Sequence, residues 1–358
     1  MALGDFGSEI IDSANQIRYA KYFSFKKFSK GTLVFLTDPA NKTDTLQILF
    51  LGKDKPKNLD PSVTYLKTPL TKIGCLSSVF VAFTDALGKS ESIVAVDEFD
   101  YICSGKIRDR ILQNKLEEIS AGNSFNFEKA LKINPEAIFL YSVPGAEDPA
   151  VSKMKKLGLK VVLCQNYLEQ HPLGRAEWIK FFGLLFSEEQ LAQNYFEEVS
   201  EHYNTYSQAA LEQNIKPEVF MYAPYNNIWN ISGGNSFASH LMADAGSQYC
   251  FSDDTGSANR TMQFESVFDV ISNADYWLIP NDIKSMAELS NADSRYNLFK
   301  SVINNQVYNC DKWTNNLGGN MFWEYGVVRP DIILADLIKI FHPELMTNHT
   351  FVFFRKLE

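Results

Sequence analysis

Ser187-Glu-Glu-Gln-Leu-Ala-Gln-Asn-Tyr-Phe-Glu-Glu-Val-Ser-Glu-His-Tyr-Asn-Thr-Tyr-Ser-Gln-Ala-Ala-Leu-Glu-Gln213 is the stretch around which the rest of this chain is arranged. Ser187 stands three residues ahead of Gln190, so its hydroxyl can accept from free N–H groups of a helix start while Gln190 reaches back. Leu191, Tyr195, Val199, Tyr206 and Ala210 then follow steps of four and seven, with Glu197, Glu198, Glu201 and Gln208 between them. One face packs and the other is wet. Extended back to Arg175, the run reads as a helical spine. From Ser187 to Gln213 alone it would be roughly 40 Å long at about 1.5 Å per residue.

The segments before and after the spine look like two editions of one unit. Asn126-Phe-Glu-Lys-Ala-Leu-Lys-Ile-Asn-Pro-Glu-Ala-Ile-Phe-Leu140 precedes it, and Gln263-Phe-Glu-Ser-Val-Phe-Asp-Val-Ile-Ser-Asn-Ala-Asp-Tyr-Trp-Leu278 follows it. Each is a short helix opened by Phe-Glu and feeding an apolar strand, Ala137–Tyr141 or Tyr276–Pro280. Ahead of them the order also agrees. Strand 73–76, a helix ending at Gly88 and strand 93–96 correspond to strand 218–222, a helix ending at Gly246 and strand 249–251. Glycine suits both helix ends, where positive φ is common. A duplicated α/β unit with parallel sheets follows.

At 358 residues the chain is long enough for two substantial cores. Its 34 Lys and Arg against 43 Asp and Glu, net −9, with no dense basic block, argue against nucleic acid as a partner. No apolar stretch approaches bilayer length and Met1-Ala-Leu-Gly4 lacks signal-peptide character, so any export signal or lipid-anchor cysteine is expected outside this sequence. Cys75, Cys103, Cys164, Cys250 and Cys310 are scattered without a Cys-x-x-Cys pair, which speaks against a zinc cluster and leaves disulfide pairing open.

Residues 18–51 alternate and turn like an antiparallel β appendage, and 53–61 reads as an exposed linker, so the first lobe is expected to begin near Thr64. The expected division is an extension over 1–63, an α/β lobe over 64–172, the spine over 173–214 and a second α/β lobe over 215–358. Pro330 opens a closing helix, and residues 350–354 read as a final strand. In open parallel sheets ligands sit beyond the carboxyl ends of strands. The loops there concentrate aromatic groups, including Tyr225, Trp229, Trp313, Phe322, Trp323 and Tyr325, and loop tryptophans are less easily explained as core filling. Ser232-Gly-Gly-Asn-Ser236 ahead of a helix either cradles an anion or is a tight entry turn. His171, His202, His240, His342 and His349 lack metal-ligand spacing, and no nucleophile elbow is present, so no catalytic residue is assigned. His171, just after a strand, is the one histidine placed for a ligand, although a structural role fits it better. Glu128 and Glu265, in matching first turns, either complement a helix dipole or form a pair of acidic docking knobs.

In this order, Ala121-Gly-Asn-Ser-Phe-Asn-Phe-Glu128, Leu173-Gly-Arg-Ala-Glu-Trp-Ile-Lys-Phe-Phe-Gly183, Gly233-Gly-Asn-Ser-Phe237 with Ala245-Gly246, Gln263-Phe-Glu265, and Arg329-Pro-Asp331 with His342-Pro343 resemble the class III periplasmic substrate-binding proteins of ABC importers, which capture cobalamin, haem and ferric siderophores. The resemblance runs from about Thr68 to the C-terminus. It implies two Rossmann-like α/β lobes joined by a long rigid helix, with the β appendage as a departure. It implies a lipoprotein or periplasmic carrier, no enzyme activity, no cofactor beyond a metal-chelate ligand, and an ABC permease as partner. Membrane contact is then expected only through a lipid anchor. Glu128 and Glu265 match the two glutamates that dock on permease arginines. A corrin or haem would be held by Tyr101, Tyr141, Trp229, Trp313 and Trp323, and an anionic siderophore also by Arg108, Arg110 or Arg260, with Tyr225 and Tyr325 further candidate ligand-binding residues. The ligand is then expected in the cleft between the lobes; a corrinoid-specific binder and, from a different class, an enzyme using that cleft remain alternatives. So does a surface capture protein without a permease.

Overall fold

The computed structural model describes residues 3–358 apart from 13–15, 39, 42–43, 123, 143–144, 146–147, 225–227 and 281. The chain forms two compact units. One takes residues up to Glu169, Leu173–Glu197 and Asn315–Val328; the other takes Gln170–Pro172, Glu198–Thr314 and Arg329–Glu358. The division therefore differs from the four consecutive segments expected. The amino-terminal sheet belongs with the first α/β sheet, and residues 315–328 return to the first unit.

The parallel sheet of the first unit runs Val161–Cys164, Ala137–Tyr141, Ile73–Cys75, Ile93–Val96, Glu117–Glu118. That of the second runs Gln248–Tyr249, Glu218–Met221, Tyr276–Leu278, Val307–Asn309, Arg355–Lys356. With the two-residue edge strand Glu117–Glu118 left out, the first strand in sequence in both lies between the second and third, and the fourth flanks the third. All of these pairings are parallel, with Ala137 opposite Ile73 and Val219 opposite Tyr276. The repeat read from the two Phe-Glu helices is thus carried into strand order. Only the last strand differs in sense: Arg355–Lys356 is antiparallel to Val307–Asn309.

The spine is three helices, Pro172–Glu177, Ile179–Phe186 and Glu189–Leu211. The last, about 34 Å long at about 1.5 Å per residue, begins two residues later than expected. Ser187 does not cap it. Ser187 sits at φ 57° and closes the preceding helix, donating its N–H to Gly183 O. A Cβ at Gly183 would fall 2.6 Å from the Ala192 Cβ, so glycine permits the close approach of the two helices. Every residue of Ile179–Phe186 is buried, and Trp178 packs on Phe23 and Phe181 with ring centroids 5.0 and 5.6 Å away.

The amino-terminal sheet holds five strands in sequence order, Glu9–Asp12, Phe23–Phe28, Gly31–Thr37, Thr45–Gly52 and Val63–Lys67. The first four are antiparallel, but the fifth pairs parallel to the fourth, so Thr64 lies inside this sheet rather than at the start of the next. Phe6, Leu33, Phe50 and Val63 form its core. Two devices fasten it. The Gln47 side chain donates to Val161 O at 2.7 Å and accepts from Leu163 N at 3.0 Å, standing in for a neighbouring strand along the edge of the parallel sheet. Two buried carboxylates also gather five successive backbone N–H groups. Glu177 accepts from Arg18, Tyr19 and Ala20 at 2.7–3.0 Å, and Glu169 accepts from Lys21 and Tyr22 at 2.8 and 3.0 Å. Lys180, 2.8 Å from Glu177, supplies the countercharge that a buried carboxylate needs. Because these N–H groups are taken, the strand anticipated from Tyr19 starts only at Phe23. Asp336 does the same to Val352, Phe353 and Phe354, at 2.7–3.0 Å, and the expected strand over 350–354 is replaced by the short Arg355–Lys356.

Candidate functional site

In the first unit the carboxyl ends of the parallel strands carry a polar-aromatic cluster. Tyr141 closes its strand, hydrogen-bonds Ser77 and Asn166, and meets Tyr167 edge-on at 4.9 Å; burial pushes its hydroxyl up to about 12. Tyr167 donates to Ser142 O at 2.9 Å, Gln165 Nε2 bonds Ser142 Oγ, and Arg175 Nη2 holds Tyr167 O at 2.8 Å. Tyr141 is half-buried, braced on all sides by this network.

A second set of groups gathers where residues 315–328 dock on the loop after Ile93–Val96. Asn315 Nδ2 donates to Asp100 O and Ile102 O at 2.8 and 2.9 Å. Its Oδ1 accepts from Leu317 N and Gly319 N, which folds 315–319 into a tight loop. Glu324 is buried and accepts from Cys103 N at 2.6 Å and Ser104 N at 2.9 Å. Burial, opposed by those two N–H groups and reinforced by nearby Asp85, raises its carboxyl to about 7. Arg108, on the helix Gly105–Leu112, holds Phe99 O at 2.8 Å, and Glu118 accepts from Phe99 N. A Cβ at Gly319 would press on Cys103 Sγ and Tyr101 O, so the two segments meet backbone to backbone. On this braced scaffold Tyr101 is 53% exposed, Leu317 51% and Trp323 45%, while Tyr325 is half-buried. Trp323 is steadied by Phe322 edge-on at 4.7 Å.

Four of the anticipated ligand residues, Tyr101, Arg108, Trp323 and Tyr325, are therefore brought to one scaffold of the first unit. Arg110 is a correction. It is buried and bonds Ser90 O and Glu91 O, tying its helix to the preceding turn.

In the second unit Trp229 is also a correction. It is 1% exposed in the strand Trp229–Ser232 and packs among Phe220, Trp277 and Tyr296, so it fills the core. Arg260, on the paired strand Asn259–Met262, lies half-exposed with its Nε 3.3 Å from Asp254. Trp313 is 45% exposed, its ring parallel to Phe353 at 6.5 Å. Tyr225 lies outside the described residues. Side chains at Gly233 and Gly234 would collide with the carbonyl oxygens of Ser252, Asp254 and Gly256, so the glycine-rich turn is packed against acceptors and is no anion cradle. His342 is buried beside Gly246 O at 3.1 Å, a structural position, and the ring of His171 lies 6.1 Å from that of Tyr203. None of the five cysteines is joined in a disulfide. Among the described residues no cluster of three or more His, Cys, Asp or Glu side chains is assembled for a metal ion, and no helix is long and apolar enough to cross a membrane.

Glu128 is exposed in the first turn of Phe127–Ile133, beside an open depression of about 530 Å³ floored by Phe125 and Phe127. Glu265 is 80% exposed in the first turn of Phe264–Ile271, 3.7 Å from Arg295. The two therefore occupy equivalent places in the repeat.

Sequence reasoning missed Asn315 and Glu324. The turn-rich Asn315-Asn-Leu-Gly-Gly-Asn320 marked a loop, but nothing local revealed that it crosses to the first unit.

An uncharacterized lipoprotein of Methanocaldococcus jannaschii is 27% identical over 87% of this chain and 76% of its own length. A periplasmic haem-binding protein of Pseudomonas aeruginosa superposes with a TM-score of 0.60 at 13% identity, over 81% of this chain and 98% of that one. A periplasmic vitamin B12-binding protein of Vibrio cholerae gives 0.53 at 16% identity, over 78% and 99%. The amino-terminal sheet precedes the family match, which covers residues 73–314. With that match covering every parallel strand of both sheets, this chain belongs to the periplasmic binding protein family.

Proposed function

We propose that this protein captures a metal chelate, a ferric siderophore, haem or cobalamin, outside the cytoplasm and delivers it to the permease of an ABC importer. Its family consists of extracytoplasmic substrate-binding transport proteins and not of enzymes. The observation that carries the ligand class is the exposure of Tyr101, Leu317 and Trp323 on a scaffold held by Asn315 and Glu324. Large apolar side chains kept at the surface by hydrogen bonds suit a large, flat, partly apolar ligand, and a braced loop loses little entropy when it binds. Arg108, in part spent on Phe99 O, adds positive charge for carboxylate or hydroxamate oxygens. The haem- and vitamin B12-binding proteins that share the fold point to the same class. Glu128 and Glu265, exposed at equivalent positions, would present two acidic groups to arginines of a symmetric permease; Glu265 would exchange Arg295 for its partner.

Two variants test the reading. Tyr101→Ala with Trp323→Ala should weaken chelate binding at least tenfold without changing the melting temperature, since neither side chain is buried. Glu128→Ala with Glu265→Ala should abolish uptake while leaving chelate affinity intact. Unchanged affinity in the first variant removes the aromatic face from the account, and unchanged uptake in the second removes permease docking.

A further inference from the structure

The amino-terminal sheet carries a charge opposite to the rest of the molecule. Residues 1–67 hold 10 Lys and Arg against 7 Asp and Glu, net +3, which leaves −12 for residues 68–358 of a chain at −9. Its positive groups are gathered. An open groove of about 890 Å³ runs between the turn at Lys30–Gly31 and the segment Leu51–Lys57, lined by Lys30, Lys53, Lys55 and Lys57. Lys30 is taken by Asp5 at 2.5 Å, and Glu189, also on the lining, is taken by Lys27 at 3.1 Å. Lys53, Lys55 and Lys57 are exposed and make no ion pair among the described residues; Asp54 is the one acid interleaved with them. Two more lysines adjoin. Lys67 lies opposite Gly52 in the sheet, and Lys160 stands 5.5 Å from the ring of Tyr65, whose hydroxyl donates to Lys53 O.

We infer that this lysine-rimmed face docks the protein on the anionic phosphate headgroups of a phospholipid membrane. Exposed lysines spread along an open groove act as point charges on flexible stems, which suits a plane of phosphates better than the directional capture of one anion. The remaining −12 is repelled by the same plane, so the charge asymmetry orients as well as attracts. An extracytoplasmic carrier that works beside a membrane meets such a surface, and the inference is independent of which chelate is carried.

The test is co-sedimentation of the whole protein with mixed phosphatidylcholine–phosphatidylglycerol vesicles and with pure phosphatidylcholine vesicles, at low and high salt. Binding should require phosphatidylglycerol and fall as salt screens it. Lys53→Glu, Lys55→Glu and Lys57→Glu together should weaken it on the order of a hundredfold, from about a fivefold contribution per lysine near an anionic surface. Lys115→Glu, Lys155→Glu and Lys156→Glu, an equal charge change elsewhere on the first unit, should weaken it far less. Equal binding to pure phosphatidylcholine, or full retention in the first triple variant, overturns the inference. So does release by inorganic phosphate well beyond that by chloride at matched ionic strength, which would assign a small-anion site instead. Chelate affinity, measured on the same variants, should not move, so this result and the ligand reading fail separately.

Discussion

Between about pH 8 and pH 5 the protein should become more stable as acid is added. Two buried carboxyls set that sign. Burial raises both Glu169 and Glu324 from the usual 4.5 to about 7, although each accepts hydrogen bonds from backbone N–H groups that favour the charged form. A group that binds its proton more tightly in the fold than in the unfolded chain contributes stability that is complete below about 4.5 and lost as pH rises through 7. The contribution of each is on the order of 3 kcal/mol. Among the described residues, the other shifted carboxyls Asp5, Asp60, Asp293 and Asp311 are held below the ordinary carboxylate value, and the shifted tyrosines and cysteines titrate above the window. Urea unfolding followed by tryptophan fluorescence at several pH values reads the slope. Glu324→Gln removes its share of the slope and adds a pH-independent cost of about 1–3 kcal/mol, because the amide turns a donor towards Cys103 N or Ser104 N. Glu169→Gln should remove the other share, and the double variant should be nearly flat. Stability that is level or falls from pH 8 to pH 5, or a slope that survives both substitutions, refutes the reasoning.

Gln47→Leu should cost about 1–3 kcal/mol for each of two orphaned groups, Val161 O and Leu163 N, measured by denaturant midpoint; a loss below about 0.5 kcal/mol would mean the edge is satisfied some other way. Trp229→Ala should cost about 3–5 kcal/mol by leaving a cavity in the second core, while half-exposed Trp313→Ala should cost far less. Thermal melts of the two variants that coincide would contradict the placement of Trp229 in the core.

Six of the parallel strands were legible to within a residue or two because their apolar runs are local and bounded by Gly, Pro and polar clusters, as at Ile93–Val96 and Ala137–Tyr141, whereas Glu117–Glu118, Val161–Cys164 and Val307–Asn309 were not assigned from sequence. The repeat was legible because Phe127-Glu128 and Phe264-Glu265 open helices of the same kind in the same place. What failed was long-range. Ser187 carries the chemistry of a helix start, but it closes the preceding helix by donating to Gly183 O, where Gly183 lets that helix approach Ala192 closely. Tyr19–Tyr22 alternate like a strand, yet Glu169 and Glu177, some 150 residues away, take their N–H groups. Trp229 could not be told from a surface aromatic because the strand pairing that buries it, Trp229 opposite Met262, is non-local. The same limit hid Glu324, whose acceptors' partners lie 220 and 221 residues back along the chain. Carboxylates that claim runs of distant N–H groups leave no periodicity in the sequence.

The central claim, a carrier that binds one metal chelate, is tested most directly by isothermal titration calorimetry of the whole protein with haemin, cyanocobalamin and a panel of ferric siderophores. The account predicts saturable one-to-one binding to one of these classes, without turnover, weakened by Tyr101→Ala with Trp323→Ala. Binding to none of them, or binding that the double variant leaves unchanged, would contradict it.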